Sequence, residues 1–173
     1  MIDSKVSNEK KNLIRLAGEF LVASRLTQRG YMVTLQWGST IGYDILVFDK
    51  RGSVAFLEVK STASHPQRWI LQAKYAHPER DSIPLGRRFV CCVDLSAPGA
   101  DADLYVLPAP VVAEGLRYFY ARGFSNSASF MLALNARPRG RSKDLGVATV
   151  GAHIEAAKYL DGFAALGVTP LAR

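Results

Sequence analysis

Asp44, Glu58 and Lys60 stand inside two otherwise apolar stretches, YDILVFD and SVAFLEVKS. A charge buried in a strand is costly unless it is paired, hydrogen-bonded or bound to a metal. Three such charges in one hairpin point to a site. Side chains along a strand alternate between its two faces. Asp44, Leu46 and Phe48 therefore share one face of their strand, and Phe56, Glu58 and Lys60 share one face of the next. The connecting turn, DKRG, lies near Arg51 and Gly52, which sets Asp44 opposite the Glu58–Lys60 end of its neighbour.

Two carboxylates and an ammonium at one sheet edge form a recognisable chemical set. Carboxylate oxygens suit a hard divalent cation, Mg2+ or Mn2+. Such an ion polarises a phosphoryl oxygen and lowers the pKa of a water. An adjacent lysine orients or deprotonates that water, or neutralises charge developing on the phosphate. The reaction implied is metal-assisted hydrolysis of a phosphodiester. The competing reading is a cross-strand salt-bridge cluster on an exposed sheet face. The large apolar residues that flank these charges on both faces argue against it.

Holding this set in place requires a sheet and helices to cover it. Residues 7–28 read as a helix, with Ser7 as cap, Glu9 in the first turn and Gly30 past the end. Leu13, Leu16, Ala17, Phe20, Leu21 and Ser24 mark an apolar face at helical spacing. Strands are expected at 31–37, 43–49 and 53–61, a short helix at 68–76, strands at 87–96 and 103–108, and a helix at 110–123. One apolar stretch and a basic, glycine-interrupted loop follow, then a last helix within 151–166. The expected class is α/β: a mixed central sheet of about five strands flanked by helices, with an extra C-terminal helical segment. One domain spans 1–173, with a core at about 7–123 and an extension at about 124–173.

The 173 residues are 49% hydrophobic and 21% charged, which provides a core and excludes global disorder. No apolar run is long enough to span a membrane, and the polar N-terminus lacks a signal-peptide stretch. Cys91 and Cys92 are neighbours in a strand and so point to opposite faces, as small buried hydrophobes. Together these features point to the cytoplasm.

A net charge of +7 is compatible with a phosphate-bearing partner. Arg137, Arg139, Arg141 and Lys143 could track a DNA backbone as a flexible loop or form a solvated one; both readings stay open. Arg87 and Arg88 open a strand and could flank a groove. Ser61 and Thr62, next to Lys60, are candidate phosphate contacts, whereas Asp49 and Lys50 read as turn residues. His65, His77 and His153 match no zinc spacing and read as loop histidines. Trp69, Tyr118, Phe119 and Tyr120 read as core or interface rather than as base-stacking platforms.

Asp44, thirteen intervening residues and then Glu58-Val59-Lys60 resembles the PD-(D/E)xK nuclease superfamily. This group includes restriction endonucleases, Mrr-like nucleases and archaeal Holliday-junction resolvases. The resemblance covers about residues 7–106 and includes Gly18-Glu19 on the first helix and KST from Lys60 onward. It implies a restriction-endonuclease-like fold and a metal-dependent endonuclease acting on DNA. In that pattern Asp44 and Glu58 bind Mg2+ or Mn2+, Lys60 is catalytic, and Glu19 is a further acidic residue of the metal site. The stretch WGSTIGYD looks like the resolvase-type loop before the aspartate, whose serine corresponds to Ser39. One departure is Tyr43, where the superfamily usually has proline. Gln72 and Tyr75 resemble the glutamine–tyrosine motif of RecB-like members, but one residue short. Gln72 is therefore read as a residue at the edge of the site and Tyr75 as structural. Resolvase-like members are commonly dimers, which implies a homodimer. The alternative is a catalytically silent nucleic-acid-binding or protein-interaction subunit of a restriction, repair or defence complex. The intact Asp/Glu/Lys set argues against it.

Overall fold

A computed structural model describes residues 7–37, 42–64, 67–80, 82–96, 102–120, 129–133, 148–150 and 154–171. The first helix, α1 (Asn8–Gln28), starts where the Ser7 hydroxyl accepts a hydrogen bond from the Lys10 N–H at 3.2 Å. The chain leaves it through Arg29 and Gly30, whose φ of +86° lies in the left-handed region that glycine enters without strain. Strands β1 (Met32–Leu35), β2 (Ile45–Phe48) and β3 (Val54–Thr62) then run as an antiparallel meander.

Next come β4 (Arg68–Gln72), β5 (Arg88–Asp94), β6 (Asp103–Pro108), α2 (Ala109–Tyr120), β7 (Ser129–Ala133) and β8 (Ala148–Val150). The central sheet has the order β1-β2-β3-β5-β6, with β5 parallel to β3 and antiparallel to β6. It is the mixed five-stranded sheet expected from the strand pattern. A second sheet, β4-β7-β8, has no counterpart in that expectation.

Apolar cores cover both faces of the central sheet. On one face Val22, Ala23 and Leu26 of α1 pack on Ile45, Val47, Leu57, Val59 and Cys91, joined by Phe163 and Leu166. On the other, Val112 and Leu116 of α2 and Trp69 and Leu71 of β4 pack on Val90, Cys92 and Leu107. The adjacent cysteines thus enter different cores, both as buried free thiols, as strand alternation requires. No helix among the described residues is long and apolar enough to cross a membrane.

Three local expectations need correction. Residues 68–76 do not form a helix. Trp69 and Leu71 are buried while Arg68, Ile70 and Gln72 are exposed, the period of a strand, and β4 pairs with β7 before a 3-10 turn at Ala73–Ala76. The tail forms 3-10 turns at Ala156–Lys158 and Phe163–Leu166 instead of one helix. Between them Asp161 has a φ of +47°, and its N–H donates to the Leu104 carbonyl while the Val106 N–H donates to that of Tyr159. The tail therefore follows the β6 edge, where its backbone finds partners. Finally, α1 buries Gly18, Glu19, Val22, Ala23 and Leu26 and leaves Leu13 and Phe20 in solvent. Gly18 decides this rotation. A Cβ there would lie 1.8 Å from Ser61 Oγ, so only glycine admits β3 so closely.

Candidate active site

The β2–β3 register pairs Ile45 with Leu57, which places Asp44 level with Glu58. The Asp44 N–H donates to the Leu57 carbonyl at 2.9 Å. Beyond this point β2 has ended while β3 continues alongside β5 to Thr62. The Asp44 side chain turns toward the freed edge of β3, and its Oδ2 accepts the Val59 N–H at 2.7 Å. A carboxylate thus occupies a position that a strand carbonyl fills elsewhere in the ladder.

Glu58 is 7% exposed, and its oxygens are surrounded by donors. Oε1 faces Lys60 Nζ at 3.0 Å and Lys74 Nζ at 3.4 Å, and accepts the Tyr75 hydroxyl. Oε2 faces a guanidinium nitrogen of the buried Arg88 at 3.5 Å. Both ammoniums also lie near the Tyr75 ring, 5.6 Å from its centroid for Lys60 and 5.2 Å for Lys74. The alternation expected for β3 holds. Leu57 and Val59 enter the core under α1, while Glu58 and Lys60 meet on the other side.

Environment separates the three carboxyl groups. Burial pushes the Asp44 carboxyl up, and the Val59 N–H and the Lys60 ammonium only partly offset this. Burial and the Asp44 charge raise Glu19, while Arg15 opposes them through an ion pair at 2.6 Å. Burial also pushes Glu58 up, but Lys60, the Tyr75 hydroxyl and Lys74 outweigh it, so this carboxyl lies below its usual range. The donors around Glu58 thus favour its ionised form, whereas burial disfavours the ionised forms of Asp44 and Glu19. Burial beside Glu58 holds the Tyr75 phenol in its protonated, donating form.

Among the described residues, no three histidine, cysteine, aspartate or glutamate side chains form a group that could hold a metal ion. Asp44, Glu58 and Glu19 are therefore not gathered into one such group. Glu19 is buried and coupled to Asp44 by charge, but its Oε1 is taken up by Arg15.

The remaining candidates separate by position. Ser61 belongs to the α1 side of β3, with its Oγ buried against Gly18 and without a hydrogen-bond partner. It is remote from the face that carries Glu58 and is not a phosphate contact in this geometry. Thr62 is buried at the end of β3, and Gln72 is on the exposed face of β4. Asp49 is the expected turn residue, its Oδ1 accepting the Arg51 and Ser53 N–H groups. Arg87 donates to the Val54 carbonyl, and His77 faces Glu79 at 3.2 Å. Trp69 is a core residue, as expected. Ser39, His65, Arg137, Arg139, Arg141, Lys143 and His153 lie outside the described residues, as do the side chains of Tyr118, Phe119 and Tyr120.

Lys74, Tyr75 and Arg88 were not expected at Glu58. Tyr75 read as structural because its spacing from Gln72 is one residue short of a known motif. A strand at 68–72 would have been the signal, since it delivers the next turn to this end of the sheet. For Arg88 the signal is the parallel pairing of β5 with β3, which places it beside Phe56.

No protein-family model matches the sequence, and no curated protein sequence matches it. Among solved structures, the bacterial homing endonuclease I-Ssp6803I is similar, with a TM-score of 0.46 and 15% identity over 88% of this chain and 90% of that one. The chemistry rests on the side chains themselves.

Proposed function

We propose that this protein is a divalent-metal-dependent nuclease that hydrolyses phosphodiester bonds in DNA. One observation carries the reading: Asp44 and Glu58 stand level across the β2–β3 ladder, with Lys60 Nζ 3.0 Å from the Glu58 carboxylate. Two hard oxygen donors fit Mg2+ or Mn2+, which commonly take one or two carboxylates and complete their shell with waters and phosphate oxygens. Asp44 and Glu58 would hold the ion, and it would supply Lewis-acid polarisation of the phosphate.

The chain's own residues do the rest. The Val59 N–H fixes the Asp44 carboxylate, and Tyr75 and Arg88 fix that of Glu58. Lys60, part-exposed, presents its ammonium to the attacking water or to charge developing on the phosphate. Glu19, paired with Arg15 and within reach of the Asp44 charge, would assist the site through that charge. The net charge of +7 favours a polyanionic substrate.

The test is incubation of the purified protein with plasmid, linear, single-stranded and four-way-junction DNA in Mg2+, Mn2+ or EDTA. Cleavage should require the ion, and undiminished cutting in EDTA would remove the mechanism. A second reading is binding without hydrolysis. The engagement of Glu58 by Lys60, Lys74, Tyr75 and Arg88 favours it, because a metal must compete with those donors. Binding of all four DNAs with no cleavage in either ion would establish that reading.

A further inference from the structure

Among the described residues, three donors crowd one oxygen of Glu58. Lys60 Nζ lies 3.0 Å from Oε1, Lys74 Nζ lies 3.4 Å from it, and the Tyr75 hydroxyl donates to it as well. A carboxylate oxygen offers about two lone-pair sites. One donor is therefore in excess. Lys74 is the outlying one, since its contact is the longest and its side chain is 50% exposed, against 30% for Lys60.

Lys74 is held loosely at its tip and firmly at its backbone. It stands in the 3-10 turn Ala73–Ala76, just past β4. The next two residues, Tyr75 and Ala76, are buried in the core under α2. From α2 the Arg117 Nε donates to the Ala76 carbonyl at 2.9 Å, and another nitrogen of the same guanidinium pairs with Glu79 at 2.6 Å. The His77 N–H donates to the Lys74 carbonyl at 3.1 Å. The Lys74 ammonium lies 5.2 Å from the centroid of the Tyr75 ring, on the side of the sheet where Glu58 and Lys60 meet. A half-exposed ion pair adds little to stability. Glu58 already has Lys60, Tyr75 and Arg88 as partners. A spare cation on a fixed turn therefore suits an anion that arrives with the substrate.

We propose that Lys74 is a second phosphate-binding cation of the site, whose ammonium exchanges its contact with Glu58 for a nonbridging oxygen of the phosphodiester held there. The inference rests on the nuclease reading and adds to it a residue that touches the substrate. Lysine carries a compact charge on a flexible stem, which lets the ammonium move between two oxygens while its backbone stays in place. Little is lost when it leaves Oε1, because Lys60 and Tyr75 remain there. A divalent ion on Glu58 would favour the exchange, since like charges repel. The rival role for Lys74 is to fix Glu58, and the two roles predict opposite effects on metal binding.

The experiment has two arms. In EDTA, where no cutting intervenes, binding of end-labelled single- and double-stranded oligonucleotides is followed by anisotropy across a range of salt. Lys74→Met keeps the apolar stem beside Tyr75 and removes the charge. It should weaken binding several-fold and lower the salt slope by about one. Lys74→Arg keeps the charge and should keep the slope. In the second arm, calorimetry with Mn2+ and no DNA should show Lys74→Met binding the ion more tightly than the parent, because a cation 3.4 Å from Glu58 is gone. Weaker DNA binding together with tighter Mn2+ binding is a result that a merely structural lysine would not give. An unchanged salt slope in Lys74→Met, an equal fall in Lys74→Arg, or weaker Mn2+ binding by Lys74→Met would each overturn the proposal. Continued cleavage by the parent in Mg2+ would then leave the nuclease reading intact. A reduced slope in Lys74→Met, from a parent that binds no Mn2+ and cuts nothing, would keep the phosphate contact and remove the nuclease reading alone.

Discussion

The Val59 N–H donates to the Asp44 carboxylate at 2.7 Å, at the point where β2 has ended and β3 continues. The strand that carries Glu58 and Lys60 thus orients Asp44 through its own backbone. Asparagine keeps an oxygen acceptor for this amide and removes the charge. Asp44→Asn should lose cleavage and bind Mn2+ more weakly by calorimetry, yet melt no lower than the parent. Asp44→Ala leaves the amide unpaired, at a cost of about 1–3 kcal/mol, and should melt several degrees lower. Equal melting of the two variants would deny the bond its structural role.

Lys60 separates chemistry from binding. Its ammonium lies 3.0 Å from Glu58 and is part-exposed, so Lys60→Ala removes a cation without removing a proposed metal ligand. Losing one preorganised electrostatic contact costs roughly 10²–10³ in rate. A single phosphate contact changes the salt slope by only about one. The variant should bind DNA and scarcely cut it in single-turnover assays. Near-normal cleavage with an unchanged circular dichroism spectrum would make this lysine structural.

Asp49 fastens the β2–β3 turn to the C-terminal tail. Its Oδ1 accepts the Arg51 and Ser53 N–H groups and its Oδ2 accepts that of Thr169. The Thr169 N–H leads these hydrogen bonds in holding the carboxyl down at about 2. An aspartate depressed in the folded state contributes stability above its unfolded pKa of about 3.9, and loses it as pH falls through the folded value. Melting temperature should therefore drop between about pH 4 and pH 2. Asp49→Asn should melt a few degrees lower at pH 7 and show a shallower acid slope in that window. Parallel acid slopes for the two proteins would place the titrating group elsewhere.

Gly18 tests the packing of α1 on β3. Alanine is the better helix former by about 1 kcal/mol, but its Cβ would lie 1.8 Å from Ser61 Oγ and 2.9 Å from Ser61 Cβ. Overpacking of this kind costs about 1–3 kcal/mol. Gly18→Ala should thus lower the melting temperature, and adding Ser61→Gly should recover part of the loss. A Gly18→Ala protein more stable than the parent would mean that the helix and strand stand further apart.

The pairing of Asp44 with the Glu58–Lys60 end of β3 was legible in the sequence, as were the first helix and the five strands of the central sheet. Each follows from local rules: the two-residue alternation of strands, the DKRG turn that sets the register, and a serine cap before a run at helical spacing. What lies around that pair was decided by contacts between distant segments. Residues 68–72 become a strand because β7, some sixty residues later, offers hydrogen-bond partners. That choice carries Lys74 and Tyr75 to Glu58, and the parallel approach of β5 adds Arg88. The rotation of α1 depends on Gly18 meeting Ser61, an approach absent from the helix's own periodicity, and it is what leaves Phe20 beside Trp37 in solvent. The tail pairs along β6 for the same reason, because its backbone groups find partners there that a lone helix would have had to supply itself.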